Sequence, residues 1–175
     1  MKKLTLITGG ARSGKSAHAL KLAESYRGVN RFFIATAEAL DDEMRERIAR
    51  HRRLRPAGIT TIEEPRKVAS AIQSLEGRAG LVILDCLTLW VSNLMSAYPA
   101  GNIDAFLTEA DSLASALTRA SFSAIVVTDE VGYGIVPENP GARRFRDLLG
   151  LTNQKIAAAA DEVLLMVAGY PQRIK

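Results

Sequence analysis

The sequence predicts an α/β fold with a mostly parallel central sheet flanked by helices on both faces. Three observations lead there. Short apolar runs at residues 3–8, 31–36, 80–85, 124–128 and 163–167 alternate with longer segments of helical period. The runs are close to continuously apolar, as strands covered on both faces are. The first ends in a glycine-rich octapeptide that opens a helix, a strand–loop–helix unit with a defined ligand chemistry.

That octapeptide is Gly9-Gly10-Ala11-Arg12-Ser13-Gly14-Lys15-Ser16. It fits G-x-x-x-x-G-K-[ST], the phosphate-binding P-loop, at every fixed position. Glycines let the backbone curl until successive N–H groups face one anion. The Lys15 ammonium reaches the outer phosphates, and the Ser16 hydroxyl can ligate Mg²⁺. The helix that follows, residues 17–26, adds its free N-terminal N–H groups and carries Ala19, Leu20, Leu22 and Ala23 as an apolar stripe.

Residues 31–36 form the second strand. In a parallel sheet its C-terminal end shares an edge with the P-loop, where ligands bind in open α/β sheets. Ile34, Ala35 and Thr36 are therefore candidate nucleotide contacts, or simply a strand end leaving the core. Residues 39–53 read as a helix with Asp41, Asp42 and Glu43 in its first turn and arginines at its end, as the helix dipole favours. Leu40, Met44 and Ile48 make its apolar stripe, and Arg47, His51 and Arg55 a second row at the same spacing. Pro56 and Gly58 end it. A short strand at 59–63 precedes a helix opened by Pro65 and running to about Leu75.

The run at 80–85 ends in Asp85, the pattern of a strand whose carboxylate holds Mg²⁺ beside a P-loop. Capping of the next helix is the structural alternative. That helix covers 86–98, a turn falls at 99–101, and an amphipathic helix covers 103–120. After the strand at 124–128 comes Asp129-Glu130 and a Gly- and Pro-dense loop to Gly141. Such loops serve as substrate lids or as plain connectors. A helix at 142–160 tolerates Gly150 at a cost of about 1 kcal/mol relative to Ala. The strand at 163–167 and a short edge strand at 172–174 close the chain.

At 175 residues the whole chain, 1–175, reads as one domain with a full core. One cysteine, Cys86, excludes an internal disulfide and fits a reducing cytoplasm. The opening Met-Lys-Lys and short strand lack the apolar region of a signal peptide. Asp85, Ser92 and Asn93 interrupt the most apolar stretch, so no membrane span is expected. The formal charge is +4, yet residues 47–55 hold Arg47, Arg50, Arg52, Arg53 and Arg55 and no acid. Such a patch beside a P-loop suggests a phosphate-rich small ligand rather than nucleic acid, with a solvated helix face as the alternative.

Of the two histidines, His18 reads as an ordinary helix residue. His51 borders an apolar stripe and has cations on either side. Positive neighbours favour a neutral imidazole and also attract phosphate oxygens. That combination suits a histidine that attacks phosphorus, or one that only hydrogen-bonds in an arginine-lined binding site.

Several stretches together resemble one family. They are TGGARSGKS at 8–16, FIAT at 33–36, LDDEMRERIARHRRLRP at 40–56, the Glu63 region, the Asp85 strand, DEVGYGIVPENPGARRFRDLLGLTNQ at 129–154 and AAAADEVLLMVAG at 157–169. In that order they resemble the bifunctional adenosylcobinamide kinase / adenosylcobinamide-phosphate guanylyltransferases of cobalamin assembly. The resemblance implies a RecA-like P-loop NTPase fold, a homotrimer and two reactions. ATP or GTP phosphorylates the aminopropanol hydroxyl of adenosylcobinamide. A histidine, matched here by His51, then attacks the α-phosphorus of GTP, and adenosylcobinamide phosphate takes the GMP to give adenosylcobinamide-GDP.

Carried over by position, residues Gly9 to Ser16, Ile34 to Thr36, Arg52, Arg53, Leu54, Arg55, Glu63 and Asp85 contact the nucleotide, and Ser16 and Asp85 hold Mg²⁺. Some relatives have a Gly before the final Arg-Pro of the segment after His51. A carboxylate at Glu63 can accept from guanine N1–H and the 2-amino group, which adenine cannot supply. Kinase chemistry places the γ-phosphate at the acceptor, whereas guanylylation places the α-phosphorus at His51. Two nucleotide poses or a moving helix at 41–55 would reconcile them. Rival readings are a single-activity P-loop kinase, a RecA-like nucleic-acid ATPase and a non-catalytic nucleotide-binding regulator. The few aromatic residues and the compact basic patch count against the second, and the full set Lys15, Ser16 and Asp85 counts against the third.

Overall fold

The computed structural model describes residues 2–98 and 102–175, so the turn expected at 99–101 lies outside the described residues. The elements run β1 (Leu4–Gly9), α1 (Lys15–Ser25), β2 (Arg31–Ala35), α2 (Asp42–Arg53), β3 (Ile59–Glu63), α3 (Val68–Ser74) and β4 (Leu81–Asp85). They continue α4 (Leu87–Met95), α5 (Ile103–Arg119), β5 (Ser123–Val127), α6 (Pro140–Ala159), β6 (Glu162–Val167) and β7 (Tyr170–Arg173). One seven-stranded sheet has the order β3-β2-β4-β5-β1-β6-β7. All its neighbours are parallel except β6 and β7, which form an antiparallel hairpin at the edge.

Alternation along each strand divides the core in two. Leu4 and Leu6, Phe32 and Ile34, Val82 and Leu84, and Ala124 and Val126 point to one face, under α3, α4, α5 and α6. Ile7, Phe33, Ile83, Ile125 and Val127 point to the other, where Ala19 and Ala23 of α1 pack on them. The second face has less helix over it. Its other neighbour, α2, contributes no buried residue. A space therefore remains between α1, α2 and the strand ends.

Several boundaries differ from the sequence expectation, two of them because side chains cap the helices. Asp41 precedes α2 as its cap, with Oδ1 accepting from Met44 N–H at 2.7 Å. Leu40 is left outside the helix and 79% exposed, and Met44 and Ile48 face the open space instead of a core. Glu64 accepts from the N–H groups of Arg66 and Lys67, delaying α3 to Val68. Asn139 caps α6 through Ala142 N–H at 3.0 Å, with Pro140 in the first turn, so this helix starts two residues early. The edge strand is Tyr170–Arg173, not 172–174.

Candidate active site

Register places the strand ends side by side. Ala35 of β2 pairs with both Glu63 of β3 and Asp85 of β4, and Asp85 pairs with Val127 of β5. The P-loop leaves β1 on the same edge. Together with α2 these ends enclose a cavity of about 1060 Å³.

The P-loop is braced from behind by the β6–β7 turn. Ser13 C=O accepts from Gly169 N–H at 3.0 Å. Gly9, at φ 149°, and Gly14, at φ 98°, have conformations that side chains rarely adopt. A Cβ on Gly9 would lie 2.6 Å from Met166 O. Gly14 is the N-cap of α1, with no side-chain cap bond and no acid in the first turn. The helix N-terminus is thus open to an anion. The Ser13 hydroxyl is buried without a hydrogen-bond partner, as a group kept for phosphate would be. Lys15 Nζ donates to Gly10 O at 2.7 Å and pairs with Asp129 Oδ1 at 2.6 Å.

Asp85 does not cap α4. Cys86 holds that position with no side-chain cap bond. The Asp85 carboxylate instead lies close enough to the Ser16 hydroxyl to feel it as a stabilising donor. Burial raises its pKa from the ordinary value, opposed by the Ser16 hydroxyl and by nearby His51 and Arg55. Ser16 and Asp85 are an oxygen pair beside the phosphate cradle, which fits Mg²⁺. Among the described residues no group of three or more His, Cys, Asp or Glu is placed to hold a metal, so such an ion would need nucleotide oxygens to complete its shell. Burial pushes the neighbouring Cys86 thiol up to about 12, which leaves it inert as a nucleophile.

His51 is half-buried in the last turn of α2 and lines the cavity with Arg47, Arg50, Arg52 and Arg55. Arg52 forms an ion pair with Glu63 Oε1. Arg55 lies past the helix end, so the second row of the sequence reading continues through a turn. Its guanidinium stacks 4.0 Å from the Phe33 ring centroid and donates to Thr61 Oγ1 at 3.1 Å. Burial lowers its pKa.

The structure thus gathers Ala11, Arg12, Ser13, Gly14, Lys15, Ser16, Ala35, His51, Arg52, Leu54, Arg55, Glu63 and Asp85 around one space. Gly9 and Gly10 shape the loop from beneath. Ile34 is fully buried in the core on the opposite face. The fully buried Thr36 hydroxyl donates to Cys86 O at 2.7 Å and accepts from Cys86 N–H at 2.9 Å. Arg53 turns its Nε to Ala49 O and is absent from the cavity wall. Three residues on the wall or behind it were not singled out from sequence: Asp129, Glu130 and Asn153. The signal for the first two was their place at the end of a strand on the ligand edge.

The model of the family described as cobinamide kinase / cobinamide phosphate guanyltransferase matches residues 5–174. The chain belongs to that family. This cobinamide kinase / cobinamide phosphate guanyltransferase family member is a transferase. It is 42% identical to the bifunctional adenosylcobalamin biosynthesis protein CobU of Escherichia coli K12, over 98% of this chain and 99% of that one. CobU of Salmonella typhimurium LT2 matches at 42% with the same coverage. The bifunctional adenosylcobalamin biosynthesis protein CobP of Pseudomonas aeruginosa PAO1 matches at 42% over 97% and 96%. Among solved structures, a prototypical ATPase from the type III secretion system of pathogenic bacteria aligns with TM-score 0.59 at 12% identity. It covers 93% of this chain and 50% of its own, a likeness of fold: the P-loop NTPase architecture of RecA-like type. No helix among the described residues is long and apolar enough to cross a membrane.

Proposed function

We propose that one cavity performs both reactions for which the family is named. ATP or GTP phosphorylates the aminopropanol hydroxyl of adenosylcobinamide. GMP then passes from GTP, through a guanylyl-histidine at His51, to adenosylcobinamide phosphate, giving adenosylcobinamide-GDP. The observation that carries this reading is His51 with four arginines on the wall that also holds Lys15 and Ser16.

In the kinase half the acceptor hydroxyl oxygen attacks the γ-phosphorus, the bond to the bridging oxygen breaks, and the nucleoside diphosphate and the hydroxyl proton are released. Lys15 and the α1 N-terminal amides stabilise charge on the phosphates. In the transfer half a ring nitrogen of His51 attacks the α-phosphorus and pyrophosphate leaves. A phosphate oxygen of the acceptor then attacks the same phosphorus, and the P–N bond breaks to restore the imidazole. Arg47, Arg50, Arg52 and Arg55 neutralise the phosphate oxygens. Mg²⁺, held by Ser16 and Asp85, would supply charge neutralisation on the phosphates.

Helix α2 buries no residue. Its contacts at the C-terminal end are the Arg52–Glu63 pair and Arg55 on Phe33 and Thr61. So light an attachment supports a helix that moves with the nucleotide, reconciling γ- and α-phosphate chemistry. Glu63 would exchange Arg52 for guanine. GTP binding by Glu63→Ala that stayed as guanine-selective as the parent would refute that role. A cytoplasmic homotrimer is the state this reading implies, and sedimentation equilibrium reads its size.

The deciding experiment incubates the protein with Mg²⁺ and GTP labelled at the α-phosphorus, beside His51→Ala. Covalent label stable to alkali, lost in acid and absent from the variant is expected for a phosphoramidate at His51. Equal label in the variant would move the nucleophile elsewhere. No label on a folded, GTP-binding parent would leave a simple kinase.

A further inference from the structure

Lys15 is the cation suited to phosphate, yet a carboxylate of the chain already holds it. Its Nζ lies 2.6 Å from Asp129 Oδ1, and the two side chains are 8% and 27% exposed. A pair so enclosed is screened much less than one at the surface. Asp129 is itself fixed from several directions. Its N–H donates to Thr88 Oγ1 at 2.8 Å, and its C=O accepts from Asn153 Nδ2 at 3.1 Å. Asn153 Oδ1 also accepts from the Thr128 hydroxyl at 2.7 Å, and Glu130 N–H donates to Gly9 O at 3.0 Å. The backbone around Asp129 is thus tied to α4, α6 and the start of the P-loop, and these ties aim the carboxylate at the phosphate cradle. A phosphate oxygen that takes Lys15 must displace this carboxylate and then sit beside its charge.

We propose that Asp129 is a positioning residue that acts through Lys15, an internal competitor that weakens the grip on outer phosphates and helps release pyrophosphate after guanylyl transfer. GMP has only the α-phosphate and leaves the Lys15–Asp129 pair intact. Competition therefore falls on GTP and pyrophosphate and spares GMP. The weakened grip on outer phosphates rests on the P-loop part of the functional reading, and only the release of pyrophosphate rests also on guanylyl transfer.

Asp129→Asn is isosteric and keeps the backbone bonds to Thr88 and Asn153. Titration calorimetry with pyrophosphate, GTP and GMP tests it. Pyrophosphate and GTP should bind about tenfold tighter, the order of one charge-assisted hydrogen bond, and GMP within about twofold of the parent. In a Lys15→Ala background the same substitution should change GTP binding much less. Pyrophosphate should also block covalent labelling by GTP at lower concentration in the variant. Unchanged affinity, or equal tightening of all three ligands, would overturn the proposal. Thermal unfolding checks the fold, and Asp129→Ser takes its place in the same titrations if Asn is not tolerated. Absence of label in the parent would sink the guanylyl-histidine, while the calorimetry still decides Asp129.

Discussion

Replacing Gly9 with alanine should cost both stability and nucleotide binding. Gly9 pairs in register with Met166 of β6 and has φ 149°, outside the range that side chains comfortably adopt. An added Cβ would lie 2.6 Å from Met166 O and 2.8 Å from Ser13 Oγ. The hydroxyl can rotate away, but the carbonyl belongs to a neighbouring strand and cannot move alone. Backbone strain of about 1–3 kcal/mol and overpacking of similar size together give roughly 2–6 kcal/mol. For a chain of this length that corresponds to a Tm lower by about 4–24 °C. Gly10→Ala is the internal control, since its Cβ would meet nothing within 4 Å. Thermal unfolding and GTP titration of both variants read the outcome. A Gly9→Ala protein with Tm within about 2 °C of the parent and undiminished GTP affinity would refute the reasoning.

Thr36→Val removes the hydroxyl that bonds both Cys86 N–H and Cys86 O. It should cost about 1–3 kcal/mol in urea unfolding. Asn153→Ala strips the buried Thr128 hydroxyl of its acceptor and frees the Asp129 carbonyl. A loss of about 1–3 kcal/mol with an unchanged m-value is expected. His18 has its pKa lowered from 6.5, first by burial and then by Lys21, with Glu162 opposing. Between its folded value and 6.5 the unfolded chain binds more protons, so stability should fall as pH drops below 6.5 and reach its plateau above it. His18→Gln should flatten that slope in urea midpoints measured across the interval.

Strands β1, β2, β4, β5 and β6 were readable because each is a mostly buried apolar run, and the P-loop because its glycines and lysine stand at set spacing. Helix ends were less readable. Asp41 and Asn139 cap helices, and Glu64 ties back the turn before α3, by bonds that form only in the folded chain. The stripe of Leu40, Met44 and Ile48 has the period of a core-facing helix, but Leu40 falls outside α2, and Met44 and Ile48 meet the cavity. Ile34 and Thr36 shared a strand end with Ala35, but alternation and a buried hydroxyl turned their side chains away from the ligand space.

By itself the sequence determined the α/β architecture and the P-loop motif, since each rests on local period or on a contiguous motif; His51 as a nucleophile came from the family resemblance. Tertiary structure alone decided that Asp85 lies beside Ser16, that Arg52 meets Glu63, and that Asp129, held by Asn153, takes Lys15. These partners lie on different strands and helices. Their meeting depends on the order β3-β2-β4-β5-β1-β6-β7, and that order comes from closing two cores at once on a single twisted sheet.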